Sequence, residues 1–261
     1  MTENPPFPAY TEAMFRGDSL VEVAKQLLTN RVLSRLGRQT RLESLRTHLA
    51  CLLPSLAIDC VFDVGANCGQ YGRLLRRIGY GGRIVSFEPV SENVAQLRQM
   101  AVGDPRWEVV PLALGDEERV ADLNVMRVSE FSTLLEPSVF GTQQFPTSTM
   151  IDHVEQVRVR RLESIYESYL PEGRASRVHL KLDTQGYDLH VLRGAGAFLS
   201  SVVSLQIELP LLHIYDGMPD FLDAVRELQG MEFSFTGLFP VTRDALRRVV
   251  ELDCVMRRTV S

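Results

Sequence analysis

The chain has 261 residues, a formal net charge of −5 and a pI near 5.6. This acidic balance argues against a nucleic-acid-binding protein, because such proteins are usually basic. No apolar stretch is long enough to predict a membrane span, and the N-terminus lacks the basic-then-apolar pattern of a signal peptide. The four cysteines form no CxxC pair, so we expect reduced thiols in a soluble cytoplasmic protein.

Two amphipathic helices are predicted near the N-terminus. Apolar residues recur at helical spacing over residues 12–28 and 42–53. We therefore expect a helical extension over residues 1–56, followed by one α/β domain over residues 57–261. Such an extension can cover a sheet edge, cap a pocket or form a contact within a homo-oligomer. His48, on the second helix, is expected to be exposed.

The chain is organised around the stretch VFDVGANCGQYGRLLRRIGYGGRIVSFEP. Residues 60–64 are short and apolar, which is typical of a strand buried on both faces. A turn over residues 65–69 follows, whose glycines permit a sharp bend and close approach of the backbone to a ligand. A helix over residues 70–78 leads to a second strand, residues 83–87, which ends on Glu88. A carboxylate in this place can accept hydrogen bonds from both hydroxyls of a ribose.

The glycine spacing differs from the dinucleotide-binding fingerprint. Asn67 stands where Gly-x-Gly-x-x-Gly uses its second glycine to admit a pyrophosphate. Asp63 is expected to put negative charge near the pocket floor, which suits a cationic ligand better than a phosphate. S-adenosylmethionine carries a sulfonium, an ammonium and a ribose but no phosphate, and it is the predicted cofactor. An NAD-dependent oxidoreductase and a catalytically silent cofactor- or partner-binding module are the alternatives.

The rest of the chain reads as alternating strands and helices. The stretch 126–156 lacks periodicity, and we interpret it either as a substrate-facing lid or as a disordered segment. The tight connection between the last two strands predicts an antiparallel pair on an otherwise parallel sheet. The further predicted strands cover residues 107–114, 119–125, 157–161, 177–183, 202–208, 232–239 and 248–256, and the helices 91–102 (capped by Ser91), 162–170, 188–199 and 219–228.

Asp183 and Glu208 each end a strand, at the edge where open α/β sheets bind ligands. Together they could hold a divalent cation such as Mg²⁺, or one of them could act as a general base. The alternative is that Asp183 caps a turn and Glu208 pairs with a cation. Lys181 needs a carboxylate partner, and we expect Asp183 or Glu208. His213 follows the Glu208 strand and is either a base near neutral pH or a loop residue without a role.

Several motifs occur in a fixed order: DVGANCGQYG, FEP, LALGD, KLDTQGYDLHVLRGA, IELPLLHIYDGMPDF and LFPVTRD…RVVELDCVM. Over residues 42–256 this set resembles the FkbM-type methyltransferases. The resemblance implies an α/β, class I S-adenosylmethionine-dependent fold, with a seven-stranded sheet in the order 3-2-1-4-5-7-6 and strand 7 antiparallel. It also implies methyl transfer to a hydroxyl of a small molecule, commonly a sugar or a polyketide-type natural product.

The resemblance also implies roles for individual residues. Asp183 would lie beside the reacting methyl group. Glu208 and His213 are further catalytic candidates because of their positions at and after the end of a strand, and not because of the resemblance. Gln185 departs from the family pattern, because many members carry Glu there, and this weakens a metal or proton-accepting role at that position. The implied cofactor-binding residues are Asp63, Gly65, Ala66, Asn67 and Gly69 at the methionine end, Glu88 and Pro89 at the ribose, and Leu112 and Ala113 near the adenine.

Overall fold

The computed structural model of the protein describes residues 44–170 and 176–259. The predicted helix over residues 12–28 lies outside the described residues. The second predicted helix is present as α1, Leu45–Ser55. Within the described part of the chain, no helix combines the length and the apolar character that a membrane span requires.

The described residues contain ten strands: β1 (Cys60–Val64), β2 (Arg83–Phe87), β3 (Trp107–Val110), β4 (Ala113–Leu114), β5 (Arg119–Met126), β6 (Ile151–Arg160), β7 (Val178–Leu182), β8 (Val202–Pro210), β9 (Phe233–Arg243) and β10 (Val249–Arg258). Seven of them form one sheet in the spatial order β3-β2-β1-β7-β8-β10-β9. Renumbered within this sheet, the order is 3-2-1-4-5-7-6. β10 pairs antiparallel with β8 and β9, and the other neighbours pair parallel. The predicted order and the antiparallel last strand are confirmed.

Six helices follow α1 in the described residues: α2 (Gln70–Arg77), α3 (Ser91–Ala101), α4 (Val139–Gln144), α5 (Leu162–Ile165), α6 (Asp188–Arg193) and α7 (Phe221–Gly230). The helices predicted over residues 162–170 and 188–199 begin as α-helix and continue as 3-10 turns. The prediction that Ser91 caps α3 is wrong. Val90 precedes the helix without a side-chain cap, and the Ser91 hydroxyl donates to the Glu155 carboxylate at 3.0 Å.

Alternation along the strands gives the sheet one apolar face and one face with a buried polar row. Phe62 and Leu180 belong to the apolar core, which α6 and α7 cover. Asp63, Lys181 and Gln206 lie side by side on neighbouring strands and are almost fully buried. This polar row crosses the sheet near the carboxyl ends of the parallel strands, and Lys181 and Gln206 line the cavity described below.

A smaller sheet, in the order β4-β6-β5, lies outside the main one. The predicted strand over residues 107–114 is interrupted at Pro111, because proline cannot donate to a strand ladder. The predicted edge strand over residues 119–125 is β5, and it pairs with β6 rather than with the main sheet. The stretch 126–156, which shows no periodicity in the sequence, contains a 3-10 turn, α4 and the first residues of β6.

His48 is buried, and the prediction that it is exposed is wrong. Its exposed fraction is 9%, and its Nε2 lies 2.9 Å from the Thr236 hydroxyl. Its ring also contacts Phe239, with ring centroids 5.4 Å apart. The helical pattern of α1 shows which residues share a face, but it cannot show that β9 lies against that face.

The contact between α2 and β3 leaves no room for a side chain at Gly72. A Cβ atom at this position would lie 2.1 Å from Cζ2 of Trp107. The indole cannot shift freely, because its Nε1 donates to the Ser86 hydroxyl at 3.0 Å. Overpacking of this kind costs about 1–3 kcal/mol. That cost exceeds the roughly 1 kcal/mol that alanine gains over glycine within a helix.

We therefore expect Gly72→Ala to lower the free energy of unfolding by up to about 2 kcal/mol in urea denaturation, as the overpacking cost less the helix gain. Gly81→Ala is the matched control, because a Cβ atom there meets nothing within 4 Å, and its stability should change by less than about 0.5 kcal/mol. A Gly72→Ala protein as stable as the control would contradict the packing argument.

Candidate active site

A cavity of about 500 Å³ opens at the carboxyl ends of the parallel strands. The predicted site residues that line it are Gly65, Ala66, Asn67, Glu88, Pro89, Leu112, Ala113, Asp183 and Glu208. Asp63, Gly69 and His213 are not among the lining residues. Residues 129–134 also line the cavity, so part of the stretch interpreted as a lid or as a disordered segment forms a wall of the site.

The turn after β1 is fixed by its own backbone and by Glu88. Gly65 has a φ of +72°, and a Cβ atom there would lie 1.9 Å from the Asp183 carbonyl oxygen. The Asn67 N–H donates to Oε2 of Glu88 at 2.8 Å, and the Val90 N–H donates to Oε1 at 2.9 Å. The Glu88 carboxylate is therefore held in place at the cavity wall, between the glycine turn and the start of α3.

Glu88 is 4% exposed, and burial raises the pKa of its carboxyl group. The hydrogen bonds from Val90, Asn67 and Asn93 act in the opposite direction, because they stabilise the charged form. Among the described residues, the Asn67 N–H is the one donor to Oε2. A carboxylate oxygen can accept two hydrogen bonds, so Oε2 keeps capacity for a hydroxyl group of a ligand in the cavity.

Lys181 lies at the cavity floor between two carboxylates. Its Nζ is 3.2 Å from Oδ1 of Asp63 and 3.3 Å from Oδ2 of Asp183, and it donates to the Gly65 carbonyl at 3.0 Å. Burial lowers the pKa of this ammonium, but the carboxylates of Asp183 and Asp63 outweigh burial, and the net pKa lies above its usual value. The predicted Lys181–Asp183 pair is confirmed.

The expected role of Asp63 needs correction. Its side chain is fully buried and does not line the cavity. The Ser86 hydroxyl donates to its Oδ2 at 3.0 Å, and Lys181 balances its charge. Asp63 therefore supports the floor of the site from below, by holding Lys181, instead of presenting its charge to a ligand.

Gln185 joins the two predicted catalytic carboxylates. Its Nε2 donates to Oδ1 of Asp183 at 3.1 Å and to Oε2 of Glu208 at 3.0 Å. Its Oε1 accepts from the Tyr215 hydroxyl at 3.0 Å, which fixes the orientation of the amide. The structure thus brings Asp183 and Glu208 together, as the strand ends predict.

The donors around Asp183 do not fit a resident divalent cation. An amide NH₂ group lies between the two carboxylates, whereas Mg²⁺ and Ca²⁺ require oxygen ligands. In residues 44–170 and 176–259, no group of three or more His, Cys, Asp or Glu side chains is arranged to hold a metal. The Mg²⁺ alternative therefore has no support from these residues.

His213 is exposed and lies outside the cavity lining. Its backbone carbonyl accepts a hydrogen bond from the Ser138 hydroxyl at 2.7 Å, which ties its loop to α4. The structure therefore does not bring the His213 ring to Asp183 and Glu208. His179 is fully buried, and burial lowers the pKa of its ring to about 3.

Two further carboxylates line the cavity, and sequence reasoning missed them. Asp253 lies opposite Glu208 in the β8–β10 register, and Glu251 lies two residues earlier on the same face of β10. Because β10 is antiparallel, its first residues reach the edge where the parallel strands end. Two acids spaced by one residue in the strand sequence RVVELDCVM were the available signal. The sequence analysis considered only acids that end a strand, and it therefore missed these two, which lie within β10.

These acids share a region of high negative charge. Burial raises the pKa of Glu251 to about 7 and that of Asp253 to about 6. Burial also raises the pKa of Glu208 well above its usual value, and the neighbouring Glu251 and Asp183 raise it further. This part of the cavity therefore favours either protonated carboxyl groups or a bound cation.

The sheet order, together with a cavity at the carboxyl ends and an acid after β2, defines a class I methyltransferase-type α/β fold. The profile of the family "Methyltransferase FkbM domain" matches residues 63–235. The chain belongs to the FkbM methyltransferase family, and the resemblance found in the sequence is confirmed. The oxidoreductase alternative gains no support.

A comparison with curated proteins found no match. Three similar solved structures are the fibrillarin/Nop5p complex (10% identity, 77% of this chain and 73% of that chain, TM-score 0.45), an rRNA methylase from Streptococcus thermophilus (12%, 82% and 94%, 0.44) and an O-methyltransferase from neocarzinostatin biosynthesis in complex with S-adenosylmethionine and 2-hydroxy-5-methyl naphthoic acid (13%, 90% and 61%, 0.41). All three TM-scores lie below 0.5, so these likenesses carry no argument about the substrate.

Removing Lys181 should expose the cost of burying Asp63. In Lys181→Met, the fully buried Asp63 carboxylate loses its cation, and breaking a buried pair in this way costs about 3–5 kcal/mol. The matched double variant Asp63→Asn/Lys181→Met removes both charges and should recover much of that loss. Chemical denaturation at pH 7 measures both. A single variant as stable as the double variant would mean that the pair contributes little.

Glu251→Gln should stabilise the protein at high pH. The folded-state pKa of Glu251, about 7, lies above its usual value of 4.5, so between these values the folded protein retains a proton that the unfolded chain has lost. Stability that depends on this group therefore falls as pH rises through that window. We expect the variant to gain on the order of 1 kcal/mol, or ~2–4 °C in Tm, at pH 8 and almost nothing at pH 4.5.

The exposed Glu117 supplies the control for this comparison, because Glu117→Gln removes the same charge outside the cavity. The difference in Tm between Glu117→Gln and the wild type should not show the increase from pH 4.5 to pH 8 that we expect for Glu251→Gln. A pH-independent effect of Glu251→Gln would contradict the raised pKa, because it would show that Glu251 has the same pKa in the folded and the unfolded protein.

Proposed function

We propose that this methyltransferase uses S-adenosylmethionine to methylate a hydroxyl group of a small molecule, a sugar or a polyketide-type natural product. Membership of the FkbM family supports methyl transfer. The cofactor and the acceptor class are the proposal. One observation carries the proposal. The glycine turn is hydrogen-bonded to Glu88 through the Asn67 N–H, and the turn, Glu88 and Asp183 line the same cavity.

The geometry of the turn favours a nucleoside without a phosphate. Asn67 adopts a φ of +46°, and its side chain accepts from the Cys68 N–H at 2.7 Å and donates to the Ser129 hydroxyl at 3.0 Å. Dinucleotide-binding sites have a glycine at this position of the turn, because the backbone must approach the pyrophosphate closely. Glu88 can bind ribose hydroxyls, and Leu112 and Ala113 provide an apolar wall for a base.

The charge of the cavity also suits a cationic cofactor. Among the described residues that line it, one is a lysine, Lys181, and six are acidic: Glu88, Glu130, Asp183, Glu208, Glu251 and Asp253. Carboxylates in a partly buried cavity attract cations more strongly than they would in water. S-adenosylmethionine carries two positive groups, a sulfonium and an ammonium, which can interact favourably with these carboxylates.

Asp183 is the residue best placed to take the proton from the acceptor hydroxyl. Bound S-adenosylmethionine supplies a methyl group that its sulfonium charge has already activated, and the electron pair of the broken C–S bond stays on sulfur. Lys181 and Gln185 orient the two oxygens of Asp183. The cavity walls align the hydroxyl and exclude water, which is the main catalytic contribution that such a reaction needs. Glu208 is less suited, because its raised pKa favours the protonated form.

Asp183→Asn should lower turnover by about 10²–10⁴-fold, which is the usual contribution of a general base. The affinity for S-adenosylhomocysteine should stay within about threefold, since Glu88 and the glycine turn are untouched. Transfer of a labelled methyl group to a panel of glycoside and polyketide-type acceptors measures turnover, and calorimetry measures affinity. Glu117→Gln is the control. Unchanged turnover would remove Asp183 from the mechanism.

A further inference from the structure

One end of the cavity carries acidic side chains with which no lysine or arginine of the described residues forms an ion pair. Glu208, Glu251 and Asp253 lie together on the facing strands β8 and β10. The described ammonium group that lines the cavity, Lys181, is paired with Asp63 and Asp183. Among the described residues, the hydrogen bonds of this acidic group come from two amides and from the Thr242 side chain, and not from a cation. We refer to these three acids as the acidic end.

The hydrogen bonds of the acidic end satisfy two of its members. Gln185 donates to Glu208 at 3.0 Å, and Gln206 donates to Asp253 at 3.0 Å. Glu251 differs, because it is 2% exposed and, although the Thr242 side chain hydrogen-bonds to its carboxylate, no described residue donates to its Oε1. A buried carboxylate oxygen without a donor is costly. Oε1 is itself shielded from the cavity space, but Glu251 lines the cavity, so a rotation of its side chain would present this oxygen to a donor on a ligand there.

The position of the acidic end separates it from the proposed cofactor site. The glycine turn and Glu88 follow β1 and β2, whereas the acidic end lies on β8 and β10, two and three strands away from β1. Neighbouring strands are about 4.8 Å apart, so Glu251 lies roughly 14 Å across the sheet from the turn. Asp183, at the end of β7, lies between them. This order assigns the acidic end to the acceptor side of the cavity.

We propose that the methyl acceptor carries a protonated amine, and that Glu251, with Asp253 and Glu208, binds this ammonium group. The proposal rests on the proposed function and names the class of its substrate. An ammonium group has three donors, which can serve Oε1 of Glu251 and one oxygen of each neighbouring acid. The amine lies about 5–10 Å from the hydroxyl at Asp183, one to two strand spacings. An amino sugar spans that distance.

Binding of paired probes tests the proposal. The protein is saturated with S-adenosylhomocysteine and titrated by calorimetry with aminohexose methyl glycosides, whose amine is at C2, C3, C4 or C6, and with their N-acetylated forms. We expect at least one amine at pH 7.5 to bind at least about tenfold more tightly than its N-acetylated form, as for a charge-assisted contact. The N-acetyl group keeps the sugar and removes the charge.

Variants then locate the binding site. Glu251→Gln and Asp253→Asn should each weaken binding of the amine by about tenfold or more and leave the N-acetylated form unaffected. Both changes remove a buried charge, so we expect these variants to fold. Glu117→Gln, outside the cavity, should bind like the wild type. Equal binding of amine and N-acetylated forms, no binding of either, or an unchanged affinity in Glu251→Gln would overturn the proposal.

Two outcomes separate this proposal from the proposed function. If S-adenosylhomocysteine binds and labelled methyl groups pass to the hydroxyls of neutral acceptors in preference to those of amine-bearing acceptors, the methyltransferase function stands and the ammonium site is wrong. If S-adenosylhomocysteine does not bind, the proposed cofactor is wrong, and the ammonium proposal fails with it.

Discussion

The ion pairs of Lys181 are the interaction on which the site depends. A buried ammonium is costly unless good partners replace its water, and Lys181 has Asp63, Asp183 and the Gly65 carbonyl as partners. These groups come from β1, from the turn after it and from the end of β7. One cation therefore holds the turn that would face the cofactor against the carboxylate that would face the acceptor.

The polar row under the cavity extends this arrangement across the sheet. The Tyr71 hydroxyl donates to Gln206 at 2.9 Å and lies 3.0 Å from the His179 ring. Gln206 in turn donates to Asp253 at the acidic end. A buried polar network stabilises a fold only when its groups are satisfied. Here most are, and Oε1 of Glu251, a residue that lines the cavity, has no donor among the described residues.

The two ends of the cavity differ in what they can bind. At β1 and β2, backbone N–H groups fix a single carboxylate, Glu88, which leaves one oxygen with capacity for a sugar hydroxyl. At β8 and β10, three acids line the cavity. Amides are the partners of Glu208 and Asp253, and the Thr242 side chain is a partner of Glu251. Asp183 and Gln185 lie between the two ends. In the proposed function, the first end would bind the methyl donor and the second the acceptor, and the transfer would take place at their boundary.

The sequence by itself determined the strands and helices around the cofactor end, because alternation and glycine turns are local signals. β1 and β2 have the predicted bounds, and Asp183 meets Glu208 because parallel strands end at one edge. The sheet order came from the family resemblance. Only the tertiary structure decided that β10 brings Glu251 to that edge and that β9 buries His48. Strand direction and partner choice depend on contacts between distant residues, which local patterns do not encode.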